Sequence, residues 1–156
     1  MSAAPIHKAF AYITHGQRLL VFRHVLAPEA GVQVPAGTLR DGEDPAEGAL
    51  REALEETGLG DLHLAGYLGT VDHVPEGLGQ VYRRHFLHLA CGGEPPERWR
   101  HAEEDPSEGG PGPIPFEFFW AVLPDGVPPL APGHDALLGM LLARLGLRAA
   151  DEGGQP

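Results

Sequence analysis

The chain has 156 residues, a formal net charge of −11 at pH 7 and one cysteine, Cys91. This length suits one domain with its own core, which we place at residues 1–148, followed by a tail at 149–156 that we expect to be disordered. The acidity argues against nucleic-acid binding, which depends on neutralising phosphates. One cysteine excludes an internal disulfide, and no apolar run approaches the roughly 20 residues that span a bilayer. The sequence therefore predicts a soluble, cytoplasmic domain that binds neither nucleic acid nor membrane.

The first part of the chain reads as strands. Two β-rich runs, at 6–14 and 18–23, are separated by a turn at 15–17 and predict a hairpin. A looser segment containing Pro28 and Gly31 follows, and a short strand at 32–35 leads into Gly37. The chain thus enters a glycine-rich loop directly from a strand.

A helix is predicted for residues 45–57, with a signal at both ends. Asp44 is a good N-cap, Pro45 suits the first helical position, and Gly58 offers a left-handed cap at the C-terminal end. Helical spacing places a stripe of small and apolar residues on one face, which we expect to face the core: Ala46, Ala49, Leu50, Ala53 and Thr57.

Beyond this helix the pattern returns to strands. The runs at 64–73 and 80–91 predict a second hairpin, and the aromatic run at 114–123 predicts a core strand. Residues 92–113 show no periodicity and are predicted as a long loop, while leucines at helical spacing predict a second helix at 134–147. Two helices sharing a core with a mixed sheet indicate an α/β layered domain.

Three glutamates lie together on the first helix. Glu52, Glu55 and Glu56 are related by i,i+3 and i,i+4 steps, so their charges repel each other. Arg51 can reach two neighbouring glutamates by i±4 steps, but one guanidinium cannot neutralise three carboxylates. A divalent cation is the expected counter-charge; the plainer alternative is a solvated acidic face.

The stretch from Gly37 to Leu59 resembles the signature of the Nudix hydrolases, G-x5-E-x7-R-E-U-x-E-E-x-G-U, in which U is a bulky apolar residue. One position departs, since Ala53 stands where a larger aliphatic residue is usual. The resemblance implies a Nudix-type α/β/α sandwich with a mixed β-sheet. It also implies Mg²⁺-dependent hydrolysis of a nucleoside diphosphate linked to a moiety X, by water attack on phosphorus. The matching residues are Gly37, Glu43, Arg51, Glu52, Glu55, Glu56, Gly58 and Leu59.

The same resemblance assigns roles to individual residues. Arg51 would orient the glutamates, and Glu52 is the first choice for the general base, with a glutamate of a distant loop as the reserve. Arg23 would contact substrate phosphate, although a solvated arginine at a strand end is its plainer interpretation, and Gly37 would lie against the substrate. Mg²⁺ is the expected metal, with Mn²⁺ as a substitute. The implied metal ligands are Glu52, Glu55, Glu56, the carbonyl of Ala36 and, less directly, Glu43; the reserve bases are Glu103, Glu104 and Glu108.

Other residues with functional side chains have ordinary structural interpretations. His85 and His88 would lie on opposite faces of one strand, so together they form no two-ligand site. Trp99 could stack on a base or anchor its loop, and Phe118 and Trp120 are expected in the core.

The identity of X rests on residues outside the signature. Pro75 lies 16 residues beyond Leu59, a spacing similar to that of ADP-ribose pyrophosphatases, although a proline in a turn has a simpler use. The lead-in from Val34 to Gly37 is also similar to theirs, so ADP-ribose or a nucleotide sugar is favoured. Many relatives are dimers, which makes a homodimer an expectation. The alternative function is a Nudix-fold module that senses a nucleotide without hydrolysing it.

Overall fold

The computed structural model describes residues 4–103 and 114–147. This part of the chain contains two α-helices, α1 at Pro45–Thr57 and α2 at Leu138–Leu145. It also contains eight strands: β1 Ile6–His15, β2 Arg18–His24, β3 Val32–Gln33, β4 Ala36–Thr38, β5 Leu62–His73, β6 Tyr82–Cys91, β7 Arg98–Glu103 and β8 Ile114–Val122. The expected tail at 149–156 lies outside the described residues.

The strands form one mixed sheet in the order β5-β6-β1-β2-β8-β7. Strands β1 and β6 run parallel, from the pair Ile6 and Tyr82 to the pair Thr14 and Ala90, whereas the other neighbours are antiparallel. Both predicted hairpins are present, as β1–β2 and β5–β6. The short strands β3 and β4 pair with β2 and β1. The predicted strand at 32–35 is therefore limited to Val32–Gln33, and a separate short strand begins at Ala36 and contains Gly37.

The two helices pack on opposite faces of the sheet. On one face Ala53 of α1 packs with Phe22 and Phe118, and on the other Leu141 of α2 packs with Phe10 and Tyr12. Adjacent strand residues point to opposite faces, so each central strand contributes to both layers. The result is the expected α/β/α sandwich with a mixed sheet.

Helix α1 forms as its end signals predict. The carboxylate of Asp44 accepts hydrogen bonds from the backbone N–H groups of Ala46 and Glu47, at 3.0 and 3.2 Å. Gly58 closes the helix in the left-handed region, with φ +77°. Ala49, Ala53 and Thr57 of the predicted stripe are buried, so their small side chains seat the helix close to the sheet.

The prediction of one long loop at 92–113 is wrong for residues 98–103. These residues form β7, an edge strand that pairs with β8 from Arg98 opposite Phe119 to Glu103 opposite Ile114. Edge strands often carry charged residues, and Arg98 and Arg100 on either side of Trp99 obscure the pattern of a buried strand. Residues 104–113 lie outside the described part.

Helix α2 is shorter than the predicted 134–147. The Tyr12 hydroxyl donates to the His134 carbonyl oxygen at 2.7 Å and accepts from the Leu137 N–H at 3.3 Å. These bonds hold the chain before Leu138 in turns. Helix α2 therefore begins at Leu138, four residues after the predicted start at 134.

His134 should make stability depend on pH. Burial, followed by the charges of Arg84 and Lys8, lowers its pKa to about 4. Its Nδ1 accepts from the Val34 N–H at 3.2 Å, which requires a neutral ring. In the unfolded chain the ring takes up a proton near pH 6.5, so stability from this group is present above pH 6.5 and is lost as pH falls towards 4.

We expect the unfolding free energy to fall by up to about 1.4 kcal/mol per pH unit from this one group within that window. Urea unfolding of the wild type and of His134→Gln across pH 7 to 4 measures the difference in slope. Parallel pH profiles for the two proteins would contradict the assignment.

No helix in the described residues is long and apolar enough to cross a membrane.

Candidate functional site

Arg51 organises the charged face of α1. Its Nε and Nη2 donate to the two carboxylate oxygens of Glu43, at 2.8 and 2.9 Å, and the Arg40 N–H donates to Glu43 as well, at 2.9 Å. Its Nη1 donates to Glu52 at 3.0 Å and to Glu55 at 3.4 Å. One guanidinium therefore binds three carboxylates, and the loop residue Glu43 takes the bidentate contact.

Glu52 lies in a buried niche against the loop. It is only 4% exposed, and its side chain lies so close to Gly37 that a Cβ at position 37 would be 2.1 Å from the Glu52 carboxyl carbon. The absence of a side chain at Gly37 therefore makes room for the carboxylate. Because φ at Gly37 is not in the left-handed region, this glycine is required for space.

Glu56 and Glu55 differ in their surroundings. Glu56 is 5% exposed and accepts a hydrogen bond from the Ala36 N–H at 3.2 Å, whereas the side chain of Glu55 is 54% exposed. The two buried carboxylates, Glu52 and Glu56, thus meet at the dipeptide Ala36–Gly37 of β4. Glu56 therefore lies against protein backbone and not in open water.

Strand β7 supports the C-terminal end of α1. Trp99 Nε1 donates to the Thr57 carbonyl oxygen at 2.9 Å, and His101 Nε2 donates to the Glu55 carbonyl oxygen at 3.1 Å. Carbonyls at a helix end lack partners within the helix, so these bonds fix its last turn. Trp99 also stacks on Phe118, so it anchors α1 and the sheet. The sequence did not predict this support, because the residues of β7 were predicted as part of a long loop.

The pKa values of Glu43 and Glu52 are shifted in opposite directions. The hydrogen bonds from Arg51 lower the pKa of Glu43 to about 2. Burial raises the pKa of Glu52 above its ordinary value, although Arg51 opposes this shift. Glu52 is therefore the better proton acceptor of the two.

The donor atoms suit a hard divalent cation. Carboxylates and a backbone carbonyl are oxygen ligands, which Mg²⁺ and Mn²⁺ prefer. The described residues hold no preassembled group of three metal-ligating side chains. The reason lies in their partners, since Glu52 is turned to Arg51 and Glu56 to the Ala36 N–H. The residues fit the cation in the chemistry of their donor atoms, and two of the carboxylates, Glu52 and Glu56, both lie against Ala36–Gly37.

The predicted phosphate contact Arg23 lies apart from this cluster. Arg23 lies on the sheet face that carries α2, with its guanidinium 4.9 Å from the centre of the Phe119 ring. Arg98 lies 5.1 Å from the same ring and pairs with Glu117 at 3.5 Å. Glu103 is the last residue of β7, and the other two reserve bases, Glu104 and Glu108, lie outside the described residues.

Arg51→Met should destabilise the protein by about 3 kcal/mol, because it leaves buried carboxylates without their counter-charge. Mg²⁺ should restore part of this loss if the carboxylates bind metal. Urea unfolding in chelator and in Mg²⁺ measures both effects. The matched control is Arg83→Met, since Arg83 makes a bidentate pair with Asp72 at 2.8 and 3.0 Å on the surface, and its loss should destabilise the protein much less than the loss of Arg51. Equal losses in both variants would contradict the special role of Arg51.

Comparison with solved structures identifies the class of fold. The chain is similar to a MutT NUDIX hydrolase from Burkholderia pseudomallei, with a TM-score of 0.65, 24% identity, and coverage of 89% of this chain and 99% of that one. It is similar to the NUDIX domain of Shewanella oneidensis NrtR, complexed with ADP ribose, with a TM-score of 0.64, 16% identity, and coverage of 92% and 90%. These likenesses show the Nudix fold.

A third structure carries a ligand and a metal. It is a bifunctional NMN adenylyltransferase/ADP ribose pyrophosphatase from Francisella tularensis, complexed with AMP and a Mn ion. Its TM-score is 0.58 at 14% identity, and the match covers 90% of this chain and 42% of that one. A search of curated proteins found no match.

The family model of the NUDIX domain matches residues 6–109, and the chain therefore belongs to the Nudix family. This match covers β1 to β7 together with α1. Family membership, together with the hydrolase neighbours, supports a pyrophosphohydrolase enzyme acting on nucleoside diphosphate derivatives.

Proposed function

We propose that this chain is a Mg²⁺-dependent hydrolase of a nucleoside diphosphate linked to X, and that it cleaves the pyrophosphate by water attack on phosphorus. The observation that carries the proposal is the meeting of Glu52 and Glu56 at Ala36–Gly37, each almost fully buried. Burying two carboxylates beside each other is costly unless a cation compensates for it.

Glu52, Glu55, Glu56 and the Ala36 carbonyl would hold the metal, and Glu43 would assist by fixing Arg51. A bound Mg²⁺ neutralises phosphate charge and polarises the phosphoryl group. Mn²⁺ would substitute for Mg²⁺, which agrees with the Mn ion named for the Francisella tularensis structure. An all-oxygen donor set supports this choice over Zn²⁺.

Glu52 is proposed as the general base, which takes a proton from the attacking water at a carboxylate oxygen. The pKa of Glu52, raised by burial, supports this role because a more basic carboxylate accepts a proton more readily. Gly37 would contact the substrate through its backbone, since the space that a side chain would take at this position is filled by the Glu52 carboxylate. Glu103, Glu104 and Glu108 remain the reserve bases.

ADP-ribose or a nucleotide sugar is the proposed substrate class. The support is the lead-in from Val34 to Gly37 and the similarity to a Nudix domain that binds ADP ribose. Pro75 adds little, because its carbonyl accepts from the Leu78 N–H at 3.4 Å in the turn after β5, which is an ordinary turn role.

The test is a substrate panel assayed with Mg²⁺ or Mn²⁺: ADP-ribose, nucleotide sugars, dinucleoside polyphosphates and nucleoside triphosphates. We expect hydrolysis of at least one compound, fastest for ADP-ribose or a nucleotide sugar, and none after chelator treatment. Mass spectrometry of products formed in ¹⁸O water identifies the phosphorus that is attacked. Tight nucleotide binding without turnover across the panel would favour the sensing module instead.

A further inference from the structure

A cavity lies beside the N-terminal end of α1, at the opposite end of the helix from the contact with Trp99. It has a volume of about 620 Å³ and is bounded by the loop before α1 and by the first residues of β1. Glu43 is the one member of the glutamate site that reaches its wall. The lining residues used below are His7 and His85.

Two histidines meet edge to edge in the wall of this cavity. His7 Nδ1 lies 2.9 Å from His85 Nε2, the ring centres are 5.2 Å apart and the planes differ by 17°. The separation of the centres is about the nitrogen–nitrogen distance plus the two ring radii, so the rings lie side by side and nearly coplanar. One nitrogen carries a proton, and the other presents its lone pair to it.

The side of His85 that faces away from His7 has a hydrogen-bond partner for Nδ1. Its Nδ1 lies 3.3 Å from Thr70 Oγ1, with Tyr67 Oη at 3.5 Å, and the two hydroxyl groups also contact each other. A proton on Nδ1, donated to Thr70, leaves the Nε2 lone pair directed at His7. Metal-binding histidines are oriented in this way, by a hydrogen bond from the second ring nitrogen.

Charges of both signs act on His85. Burial, followed by the neighbouring His7 and Arg83, lowers the pKa of His85, and the carboxylate of Asp72 opposes this shift. Asp72 is itself held by Arg83 in a bidentate contact at 2.8 and 3.0 Å.

We propose that His7 and His85 bind a divalent transition-metal ion of the Zn²⁺ class, at a site separate from the glutamates and open to the 620 Å³ cavity. Imidazole nitrogen suits Zn²⁺, Ni²⁺ and Cu²⁺, whereas Mg²⁺ prefers oxygen. Among the described residues no third histidine, cysteine or carboxylate completes the site. Water or a small ligand in the cavity takes the remaining positions.

The protons balance without release to solvent. His85 keeps its proton on Nδ1, and His7 moves its proton from Nδ1 to Nε2, so both facing nitrogens become free for the metal. His7 is exposed, which lets its ring turn so that the two lone pairs converge on one ion.

The test is a calorimetric Zn²⁺ titration of the full chain with Mg²⁺ in large excess, which occupies the carboxylate site. We expect one Zn²⁺ per chain, and a loss of affinity of at least about tenfold in both His7→Ala and His85→Ala. The matched control is His63→Ala, since His63 is a solvent-exposed imidazole on β5 that should leave the affinity unchanged.

Two further measurements separate ligation from loss of fold. Thr70→Val keeps both histidines and should weaken Zn²⁺ binding by about tenfold, because it removes the group that orients His85. Co²⁺ substituted for Zn²⁺ should give a visible absorption band that is absent in His7→Ala. Failure of the wild type to bind, or unchanged affinity in both histidine variants, would overturn the proposal. Neither result bears on the hydrolase, which the substrate panel tests without Zn²⁺.

Discussion

Glu52→Gln and Glu56→Gln should each abolish pyrophosphate hydrolysis while the protein remains folded. We expect kcat to fall by about a hundredfold to ten-thousandfold, the range for removing a positioned acid–base group. Each change removes a negative charge and keeps the shape of the side chain. In Glu56→Gln the amide oxygen can still accept from the Ala36 N–H, so the contact between α1 and β4 is retained.

The matched control is Glu47→Gln on the same helix, an exposed first-turn glutamate outside the cluster, which should keep wild-type activity. Steady-state assays with the best substrate of the panel measure kcat, and urea unfolding checks the fold. Glu55→Gln should also lose activity. Wild-type rates in both Glu55→Gln and Glu56→Gln would refute the metal assignment.

Gly37→Ala should damage both stability and activity. The added Cβ would lie 2.1 Å from the Glu52 carboxyl carbon and 2.6 Å from its Cγ, so the whole carboxyl end of Glu52 must move. Overpacking of this kind costs about 1–3 kcal/mol, and the displaced carboxylate would also leave Arg51. The control is Gly60→Ala, because a Cβ at Gly60 meets nothing within 4 Å.

A double-mutant cycle isolates the cause. In a Glu52→Ala background the obstructing side chain is gone, so Gly37→Ala should cost much less than in the wild type. Unfolding free energies of the four proteins give the coupling directly. Additive effects would mean that Gly37 is needed for some reason other than the space that Glu52 occupies.

Local patterns in the sequence predicted α1 well, because the determinants of that helix are close together in the chain. Asp44, Pro45 and Gly58 mark its ends by their own chemistry, and the small residues of one stripe mark its buried face. Phe118 and Trp120 are buried, as their aromatic run predicted.

Features that depend on distant pairing were not predictable in this way. Strand β7 exists because it pairs with β8, and its own residues alternate too weakly to reveal a strand. The contact of His7 with His85 joins positions 78 residues apart, through the parallel pairing of β1 with β6. The sequence placed His85 on the correct side of its strand relative to His88, but it gave no sign of the partner.

Arg51 donates hydrogen bonds to Glu43, Glu52 and Glu55, and these contacts affect how strongly the fold depends on a bound metal ion. Because Arg51 supplies a positive charge within the chain, we expect the protein to fold without a bound cation, although less stably than with one. Zinc fingers are the opposite case, since they unfold when the metal is removed. On the proposed function, scarcity of Mg²⁺ would stop turnover and leave an intact, recoverable protein. Restoring the ion would restart the enzyme without refolding.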